Sequence, residues 1–329
     1  MLLDLDRGYD LIGDVHGCGH SLEHLLDSLG YRLRAGVWCH PRRMALFLGD
    51  IIDRGPRIRE ALHLVHAMVD AGQAHCLIGN HEFNALAWHT PRVDTRNGVE
   101  ASSHYVRPHT PRHGRQLQET LQQFDAYPNE LREFLAWFYE LPLFLDAGRF
   151  RMVHACWDAA RIAALRQRYP QGCIDQAFVQ EAAEPGSFAA STSSRLLCGT
   201  DMRLPDGLTL TGDDGYTRAH FRTKFWSEAP QTYGDIVFQP DALPAHVAQT
   251  PLSAQQKDQL LHYDEDQPLL FVGHYWRRGR PAAIQPNLAC LDYSAVMFGK
   301  LVAYRLDQET RLDPQKFCWV EVERPEAPR

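Results

Sequence analysis

Three short motifs constrain the fold of this 329-residue chain more than any other feature. They are Gly13-Asp14-Val15-His16-Gly17, Gly49-Asp50-Ile51-Ile52-Asp53-Arg54-Gly55 and Gly79-Asn80-His81-Glu82. Each motif directly follows a short apolar run, and neighbouring motifs are separated by about the length of one strand–helix–strand unit. The pattern therefore predicts three successive strands, each ending in a glycine-framed loop that carries carboxylate, imidazole or amide groups.

The segments around the motifs predict a parallel sheet with crossover helices. Strands are expected over residues 9–13, 44–49 and 74–78, and helices over 18–29, 56–71 and from near His81. Gly30 and Gly72 end the first two helices, and Pro56 suits a first helical turn. In such a βαβαβ unit ligands bind outside the carboxyl ends of the strands, which is where all three motifs lie.

The remainder of the chain carries weaker signals. Helical pattern extends over residues 115–139 with a break at Tyr127-Pro128, and again over 159–169. A hairpin of 143–145 and 149–153 leads to His154, and a strand over 269–273 leads to His274. Later strands are expected over 288–291, 301–305 and 317–322. We expect one domain over residues 1–329, with an insertion at about 156–265 in which 185–194 and 204–215 form loops.

The segment 89–115 has few apolar residues and many histidines and arginines. An exposed, mobile loop is the simpler expectation. The alternative is a lid that folds over the site and supplies cationic contacts to a phosphate-rich substrate.

Composition limits the partners of the chain. A net charge of -7 and a pI near 6.2 predict no general attraction for nucleic acid or anionic membranes. A phosphorylated substrate stays compatible with this charge if metal ions and a few arginines make the site locally positive. The eight cysteines form no C-x-x-C pair, the first residues lack an export signal, and no apolar stretch is long enough to span a bilayer. We therefore expect reduced cysteines and a cytoplasmic location.

The polar residues at the strand ends predict a site for two metal ions. The candidate ligands combine carboxylate, imidazole and amide groups: Asp14, His16, Asp50, Asn80, His154 and His274. This mixture suits divalent Mn, Fe or Zn better than Ca or Mg. Asp50 ends the middle strand, so it is the natural carboxylate to bridge two cations that clamp a phosphate between them.

Each of these residues also has a structural explanation. A single Asp or Asn before a helix is most often a cap or turn residue. His154 and His274, taken alone, could be ordinary core or surface histidines. The recurrence of such groups at three successive strand ends is what favours a site.

The three motifs resemble those of the calcineurin-like metallophosphoesterases. The endings Asp53-Arg54-Gly55 and Gly79-Asn80-His81-Glu82 are similar to the phosphoprotein phosphatase branch, which includes bacterial and phage-type Ser/Thr phosphatases and diadenosine tetraphosphatases. The resemblance covers residues 9–84 and returns around His154, His274 and Leu291-Asp292-Tyr293-Ser294-Ala295-Val296. It implies an α/β fold, a sandwich of two mixed sheets flanked by helices, with a large insertion.

The resemblance also implies a role for each site residue. One metal would be held by Asp14, His16 and Asp50, and the other by Asp50, Asn80, His154 and His274. Arg54, Asn80 and His81 would bind the phosphate, and a metal-bridging hydroxide, with manganese the expected metal, would attack it directly. His81, oriented by Asp53, would protonate the leaving group, and Glu82 would pair with Arg54 or with the motif backbone.

The sequence leaves the substrate open. Phosphomonoesters, with Ser/Thr phosphoproteins as the family-level expectation, are favoured because the diadenosine tetraphosphatase branch usually lacks the equivalent of Asp53. A dinucleoside polyphosphate or another nucleotide is the alternative, and Tyr275 and Trp276 beside His274 could form a wall for its base. A non-catalytic metal-binding scaffold is a third interpretation. No motif locates a second phosphate-binding arginine or lysine, and the candidates are Arg218, Arg222, Lys224, Arg277 and Arg278.

Overall fold

The computed structural model describes residues 7–94, 99–211, 217–238 and 243–322. Its strands are β1 (Gly8–Ile12), β2 (Arg32–Arg34), β3 (Val37–Cys39), β4 (Arg43–Phe47), β5 (Ala74–Cys76), β6 (Pro91–Asp94), β7 (Val99–Tyr105), β8 (Phe144–Asp146), β9 (Phe150–Val153), β10 (Thr200–Arg203), β11 (Leu210–Thr211), β12 (Thr217–Arg218), β13 (His220–Thr223), β14 (Leu269–Val272), β15 (Leu288–Cys290), β16 (Asp292–Tyr293), β17 (Lys300–Leu306) and β18 (Phe317–Glu321).

The helices are α1 (Gly19–Ser28), α2 (Ile58–Asp70), α3 (Asn80–His89), α4 (Pro111–Phe124), α5 (Pro128–Phe138), α6 (Ala159–Arg168), α7 (Gln176–Glu181), α8 (Phe188–Ser193), α9 (Tyr233–Ile236), α10 (Ala245–Ala248) and α11 (Ala254–Gln259). A π-helical turn, Ser194–Cys198, follows α8. No helix in the described part of the chain is both long enough and apolar enough to cross a bilayer.

Two mixed sheets form the centre of the fold, and the predicted fold class is confirmed. The first has the strand order β16-β17-β1-β4-β5, with β18 paired to β17. Within it β1, β4 and β5 run parallel, as the βαβαβ pattern predicts. The second sheet has the order β15-β14-β9-β8, in which only β8 runs antiparallel to its neighbour.

The buried core has two layers, because successive side chains of the central strands point to opposite faces of the sheet. Ile12 and Phe47 point to the layer that also holds the buried leucines of α1. Leu11 and Leu46, one residue earlier in each strand, point instead into a layer shared with Phe271 of the second sheet. Successive strand residues face opposite sides, so two adjacent apolar residues serve both layers.

The segment predicted as an exposed loop, 89–115, contains strands and the start of a helix in its described part, so the prediction of a loop was wrong there. It contains the β6–β7 hairpin and the start of α4; residues 95–98 lie outside the described part. Helix α4 begins before residue 115 because Thr110 caps it, its hydroxyl accepting the His113 N–H at 3.3 Å, and Pro111 occupies the first helical position. The predicted break at Tyr127-Pro128 is confirmed, since α5 begins at Pro128.

Two further local expectations need correction. Residues 185–194 contain helix α8, capped by Ser187, rather than a loop. The hairpin of β2 and β3 was not anticipated; it turns through Ala35 and Gly36, both with positive φ, as two-residue hairpin turns require. The expected loop 204–215 contains β11, and residues 212–216 lie outside the described part.

The insertion predicted at 156–265 contains a small hydrophobic cluster separate from the two core layers. Its buried members come from β13, α9 and α10 and their neighbours: Leu204, Phe221, Tyr233, Ile236, Leu243, Val247 and Leu252. Strand β13 pairs antiparallel with β10, which follows the π-helical turn. This pairing brings the side chains of β13 toward the site described next. All eight cysteines of the chain are free.

Candidate metal centre

The loops that follow β1 and β4 are joined by backbone hydrogen bonds. The N–H groups of Val15 and His16 donate to the carbonyl oxygen of Asp50, at 3.1 and 2.8 Å, and Gly17 donates to Ile51 at 2.7 Å. Parallel strands place their carboxyl ends side by side, so the two motifs meet as the sequence predicts.

Five site residues adopt the left-handed backbone region that side chains other than glycine rarely occupy: His16, Asp50, Asp53, Arg54 and His274. Each such conformation costs of order 1–3 kcal/mol and persists only where the surroundings enforce it. Their concentration in the loops that follow these strands is typical of a functional site.

Two glycines are required by the close approach of these loops. A Cβ atom on Gly79 would collide with Oδ1 of Asp50, and one on Gly273 would collide with Oδ1 of Asp14. The glycines of the motifs therefore leave room for the carboxylates.

Glu82 holds the second motif in place from beneath. Its carboxylate is fully buried and accepts the backbone N–H groups of Asp50 (2.8 Å), Ile51 (2.8 Å), Ile52 (3.2 Å) and Gly79 (2.9 Å). Of the two partners expected for Glu82, the structure shows the motif backbone.

The candidate ligand atoms gather around Asp50. Its Oδ2 lies 3.3 Å from Nε2 of His154, 3.7 Å from Nε2 of His16 and 3.9 Å from Nε2 of His81. Two groups in the described residues have donor atoms within 4.8 Å of one another, one of His16, Asp50 and His81 and one of Asp50, His154 and His274. Asp50 belongs to both groups, which is the position expected of a bridging carboxylate.

Asn80 and Asp14 lie beside these groups. The Asn80 side-chain oxygen is 2.7 Å from Nδ1 of His274 and 3.1 Å from Nε2 of His154. Among the described residues Asp14 belongs to neither of these two groups of possible metal ligands, which we call the metal-type groups. Its carboxylate accepts the backbone N–H of His274 at 3.1 Å. All six predicted ligands nevertheless lie close together, Asp14, His16, Asp50 and Asn80 after strands of the first sheet and His154 and His274 after strands of the second.

Backbone carbonyls orient two of the imidazoles. Nδ1 of His16 donates to the carbonyl of Ile52 at 3.0 Å, and Nδ1 of His154 donates to that of Leu48 at 2.8 Å. In each ring Nε2 is therefore the nitrogen that faces the centre and would donate an electron pair to a metal ion once deprotonated, as outer hydrogen bonds arrange for metal-binding histidines.

The electrostatics of the buried centre favour a cation. Burial and the neighbouring carboxylates of Asp292 and Asp50 raise the pKa of Asp14 well above its usual range. Although burial opposes its charge, the Asp50 carboxylate raises the pKa of His154 to about 10. Nε2 of His274 is buried without a hydrogen-bond partner in the described structure. The crowded carboxylates and the unpaired imidazole nitrogen both fit divalent metal ions. The raised pKa of His154 fits them as well, because it indicates that the carboxylates attract positive charge.

His81 and Asp53 form a second functional pair. Nδ1 of His81 lies 2.6 Å from Oδ2 of Asp53, and the His81 backbone N–H donates to Oδ1 of Asp50 at 2.9 Å. The hydroxyl of Thr120 donates to Oδ1 of Asp53 and accepts the Asp53 N–H at 3.1 Å. Thr120 comes from α4, and no motif in the sequence pointed to it.

A cavity of about 440 Å³ opens in front of the metal-type groups. Four arginines from separate parts of the chain line it, together with the imidazole of His220: Arg54, Arg112, Arg218 and Arg222. Burial and the nearby Arg222 guanidinium lower the pKa of His274. Arg54 lies over the ring of Trp276, 5.1 Å from its centroid, and Trp276 is 46% exposed.

Of the residues predicted as a second phosphate-binding arginine or lysine, only some line this cavity. Arg218 and Arg222 line the cavity, whereas Lys224 lines a different one. Arg277 and Arg278 are not among its described lining residues. Arg112, from the segment that was expected to be a loop or a lid, does line it.

Metal-dependent phosphoester hydrolases use such arrangements, because cations and arginines together neutralise the phosphate oxygens. The sequence profile described as calcineurin-like phosphoesterase matches residues 9–185, more than half of the chain, and the chain belongs to this family. The resemblance seen in the motifs is thereby confirmed.

Curated relatives match part of the chain. The asymmetrical bis(5'-nucleosyl)-tetraphosphatase PrpE of Halalkalibacterium halodurans is 46% identical over 96 residues, which are 29% of this chain and 39% of the relative. The enzyme of the same name from Geobacillus thermodenitrificans is 33% identical over 150 residues, or 44% of this chain and 56% of the relative. The matched part of this chain thus spans 39% of the length of the first relative and 56% of the second.

The fold also matches a solved structure. The cold-active protein-tyrosine phosphatase of a psychrophilic Shewanella species has a TM-score of 0.52 and 16% sequence identity, over 98% of this chain and 83% of that one. At this identity the match bears on the fold alone.

Proposed function

We propose that this protein is a binuclear metal-dependent hydrolase acting on the polyphosphate chain of nucleotides, dinucleoside polyphosphates in particular. The observation that carries the proposal is the cavity in front of Asp50, where four arginines and one exposed tryptophan meet: Arg54, Arg112, Arg218, Arg222 and Trp276. A chain of several phosphates matches several guanidinium groups better than a single phosphate does.

The proposed metal sites are those that the motifs and the family resemblance predict. The donor groups support them in part, because His16 and Asp50 share one group and Asp50, His154 and His274 share the other. Asp14, His16 and Asp50 would hold one ion, and Asp50, Asn80, His154 and His274 the other. Mixed imidazole, amide and carboxylate donors favour manganese, with iron or zinc as alternatives. When bound, the two ions would neutralise phosphate charge and lower the pKa of a water molecule so that it can act as the nucleophile.

The protein's own residues would perform the remaining steps. Arg54 would bind phosphate oxygens with its planar guanidinium, assisted by Asn80. His81 would donate the proton on Nε2 to the leaving oxygen, while Asp53 accepts the hydrogen bond from Nδ1 and holds the ring in that orientation. Thr120 restricts Asp53 in turn.

The aromatic wall supports a nucleotide rather than a simple phosphate. Trp276 presents about half of its surface beside the cavity and already stacks with a guanidinium, so it suits a purine or pyrimidine ring. The relatives named as bis(5'-nucleosyl)-tetraphosphatases support the same substrate class. Asp53 supports the competing interpretation, a Ser/Thr phosphoprotein phosphatase acting on phosphomonoesters. The free cysteines support the predicted cytoplasmic location.

A comparison of substrates tests the proposal. Metal-loaded protein, its metals quantified, would be assayed with diadenosine tetraphosphate, ATP, a phosphoserine peptide and p-nitrophenyl phosphate in Mn(II). We expect kcat/KM for diadenosine tetraphosphate to exceed that for the phosphopeptide by about tenfold or more, a difference of at least 1.4 kcal/mol.

Preference for the phosphopeptide would support the phosphomonoester interpretation instead. Metal binding without turnover of any substrate would support a scaffold. Asp50→Asn, purified in the same way, serves as the control for contaminating phosphatases.

A further inference from the structure

A second cavity, of about 320 Å³, lies next to the proposed catalytic cleft. We call it the side groove; its walls include His20, His24, Glu119, Val296 and Phe298. Arg54 lines both the side groove and the cleft. The two spaces therefore meet at the residue proposed to bind phosphate.

The walls of the side groove combine apolar and ring surfaces. Phe298 is 44% exposed, and Ala295 and Val296 lie beside it. On α1 the rings of His20 and His24 are 4.2 Å apart and inclined at 54°. Polar side chains from α4 complete the lining. A flat heteroaromatic ring that also makes hydrogen bonds is the kind of ligand that fits such walls.

The loop that carries Phe298 is strained. Ser294 (φ 58°, ψ 44°) and Phe298 (φ 56°, ψ 38°) both adopt the left-handed conformation, which is a genuine outlier for a bulky residue. Backbone hydrogen bonds hold the loop: Ser294 accepts from Met297 at 2.8 Å and from Gly299 at 3.1 Å. Strain enforced in this way is typical of segments that position a ligand-binding group.

Two arginines make the boundary between the cleft and the side groove positively charged. Arg54 stands between them, and exposed Arg57 lines the side groove on the same loop. A polyphosphate chain that passes Arg54 would stay in contact with cationic side chains while its far end leaves the cleft. A volume of about 320 Å³ is at the lower end for small-molecule pockets, which is large enough for one nucleoside but not for a second protein domain.

We propose that the side groove binds the distal nucleoside of a dinucleoside polyphosphate, with Phe298 as its stacking surface. The inference rests on the proposed function, and it makes the enzyme selective for substrates that carry a nucleoside at each end. The cleft would hold the first nucleoside near Trp276, and the phosphate chain would cross Arg54.

The test compares two substrates that differ only in the second nucleoside. The full-length, Mn(II)-loaded protein would be assayed with diadenosine tetraphosphate and with adenosine tetraphosphate. Phe298→Ala should raise the ratio of KM for the first to KM for the second by about 5- to 150-fold, the range expected for one lost base-stacking contact. Phe298→Tyr should restore the wild-type ratio, because the ring is retained.

Met297→Ala is the matched control. Met297 is the neighbouring residue, 69% exposed, and does not line the side groove. The Met297→Ala ratio should equal that of the wild type. An unchanged ratio in Phe298→Ala, or an equal rise in Met297→Ala, would overturn the inference. Phe298→Gly, which removes the ring and relieves the strained backbone, gives the same readout if Phe298→Ala folds poorly.

Measuring adenosine binding distinguishes failure of this inference from failure of the proposed function. If the wild-type protein does not hydrolyse diadenosine tetraphosphate, the proposed function fails, and adenosine binding is then measured by calorimetry on the metal-free protein. Binding that Phe298→Ala abolishes and Met297→Ala preserves supports a nucleoside site. If adenosine does not bind, the groove is not a nucleoside site. A change in the KM of a phosphopeptide caused by Phe298→Ala would likewise assign the groove to other ligands.

Discussion

Replacing the buried Glu82 with glutamine tests how the metal-site loops are held. The carboxylate accepts four backbone N–H groups, two on each oxygen. An amide keeps one oxygen, so two of the four N–H groups would face an NH₂ group and remain buried and unpaired.

The magnitude follows from those contacts. An unsatisfied buried donor costs about 1–3 kcal/mol, so two of them cost about 2–6 kcal/mol. Burial and the nearby Asp50 carboxylate raise the pKa of Glu82, and removing its charge recovers part of that penalty. We expect a net loss of about 3 kcal/mol in the free energy of unfolding.

Urea denaturation of the metal-free protein measures this loss, and calorimetric titration with Mn(II) measures its effect on the site. Asp50 is positioned by the same loop, so metal affinity should fall together with stability. Glu133→Gln, an exposed substitution on α5, is the control and should stay within about 0.5 kcal/mol of the wild type. A Glu82→Gln protein of wild-type stability and metal affinity would refute the reasoning.

Three further predictions follow from the geometry. Asp50→Asn should remove the carboxylate shared by both donor groups, and metal analysis should find less than the wild-type metal content, with activity lost in parallel. His81→Ala should keep its metals but slow cleavage by about 10²–10⁴-fold, most for poor leaving groups; an equal loss for p-nitrophenyl phosphate and an alkyl phosphate would contradict the proton-donor role. Asp307 is partly buried, which opposes its charge, but hydrogen bonds from Lys316 and Arg43 lower its pKa to about 2. Its contribution to stability is therefore present above about pH 4 and declines as the pH falls through 2. Asp307→Asn should cost about 0.5–1 kcal/mol at pH 7, since the side chain is half exposed, and only a small part of that at pH 2 in urea titrations.

The sequence predicted the elements around the metal centre well. Strands β1, β4 and β5 lie parallel and adjacent, and the side chains of Asp14, Asp50 and Asn80 reach one edge of the sheet. These elements have strong local signals, because apolar runs specify buried strands and glycines mark the turns after them. The roles assigned to the ligands stay predictions until metal is measured.

The elements that the sequence predicted wrongly or missed lie where such signals are weak. Helix α4 begins in a polar segment where the cap at Thr110 outweighs the lack of apolar residues. Thr120 is an ordinary helical residue by any pattern, and only the packing of α4 against the second motif brings it to Asp53.

The cleft and the side groove depend entirely on contacts between distant parts of the chain. Arg112, Arg222 and Trp276 share one cavity although they come from α4, β13 and the loop after β14. Phe298 and helix α1 line the same groove although they lie near opposite ends of the sequence.

The sequence alone therefore determined the family of the chain and the placement of its candidate metal ligands, because those residues lie in motifs adjacent to the strands that position them. The tertiary structure alone decided which cations and rings surround those ligands. Such side chains stand on separate elements, and no local periodicity encodes which surfaces will pack together once the core has formed.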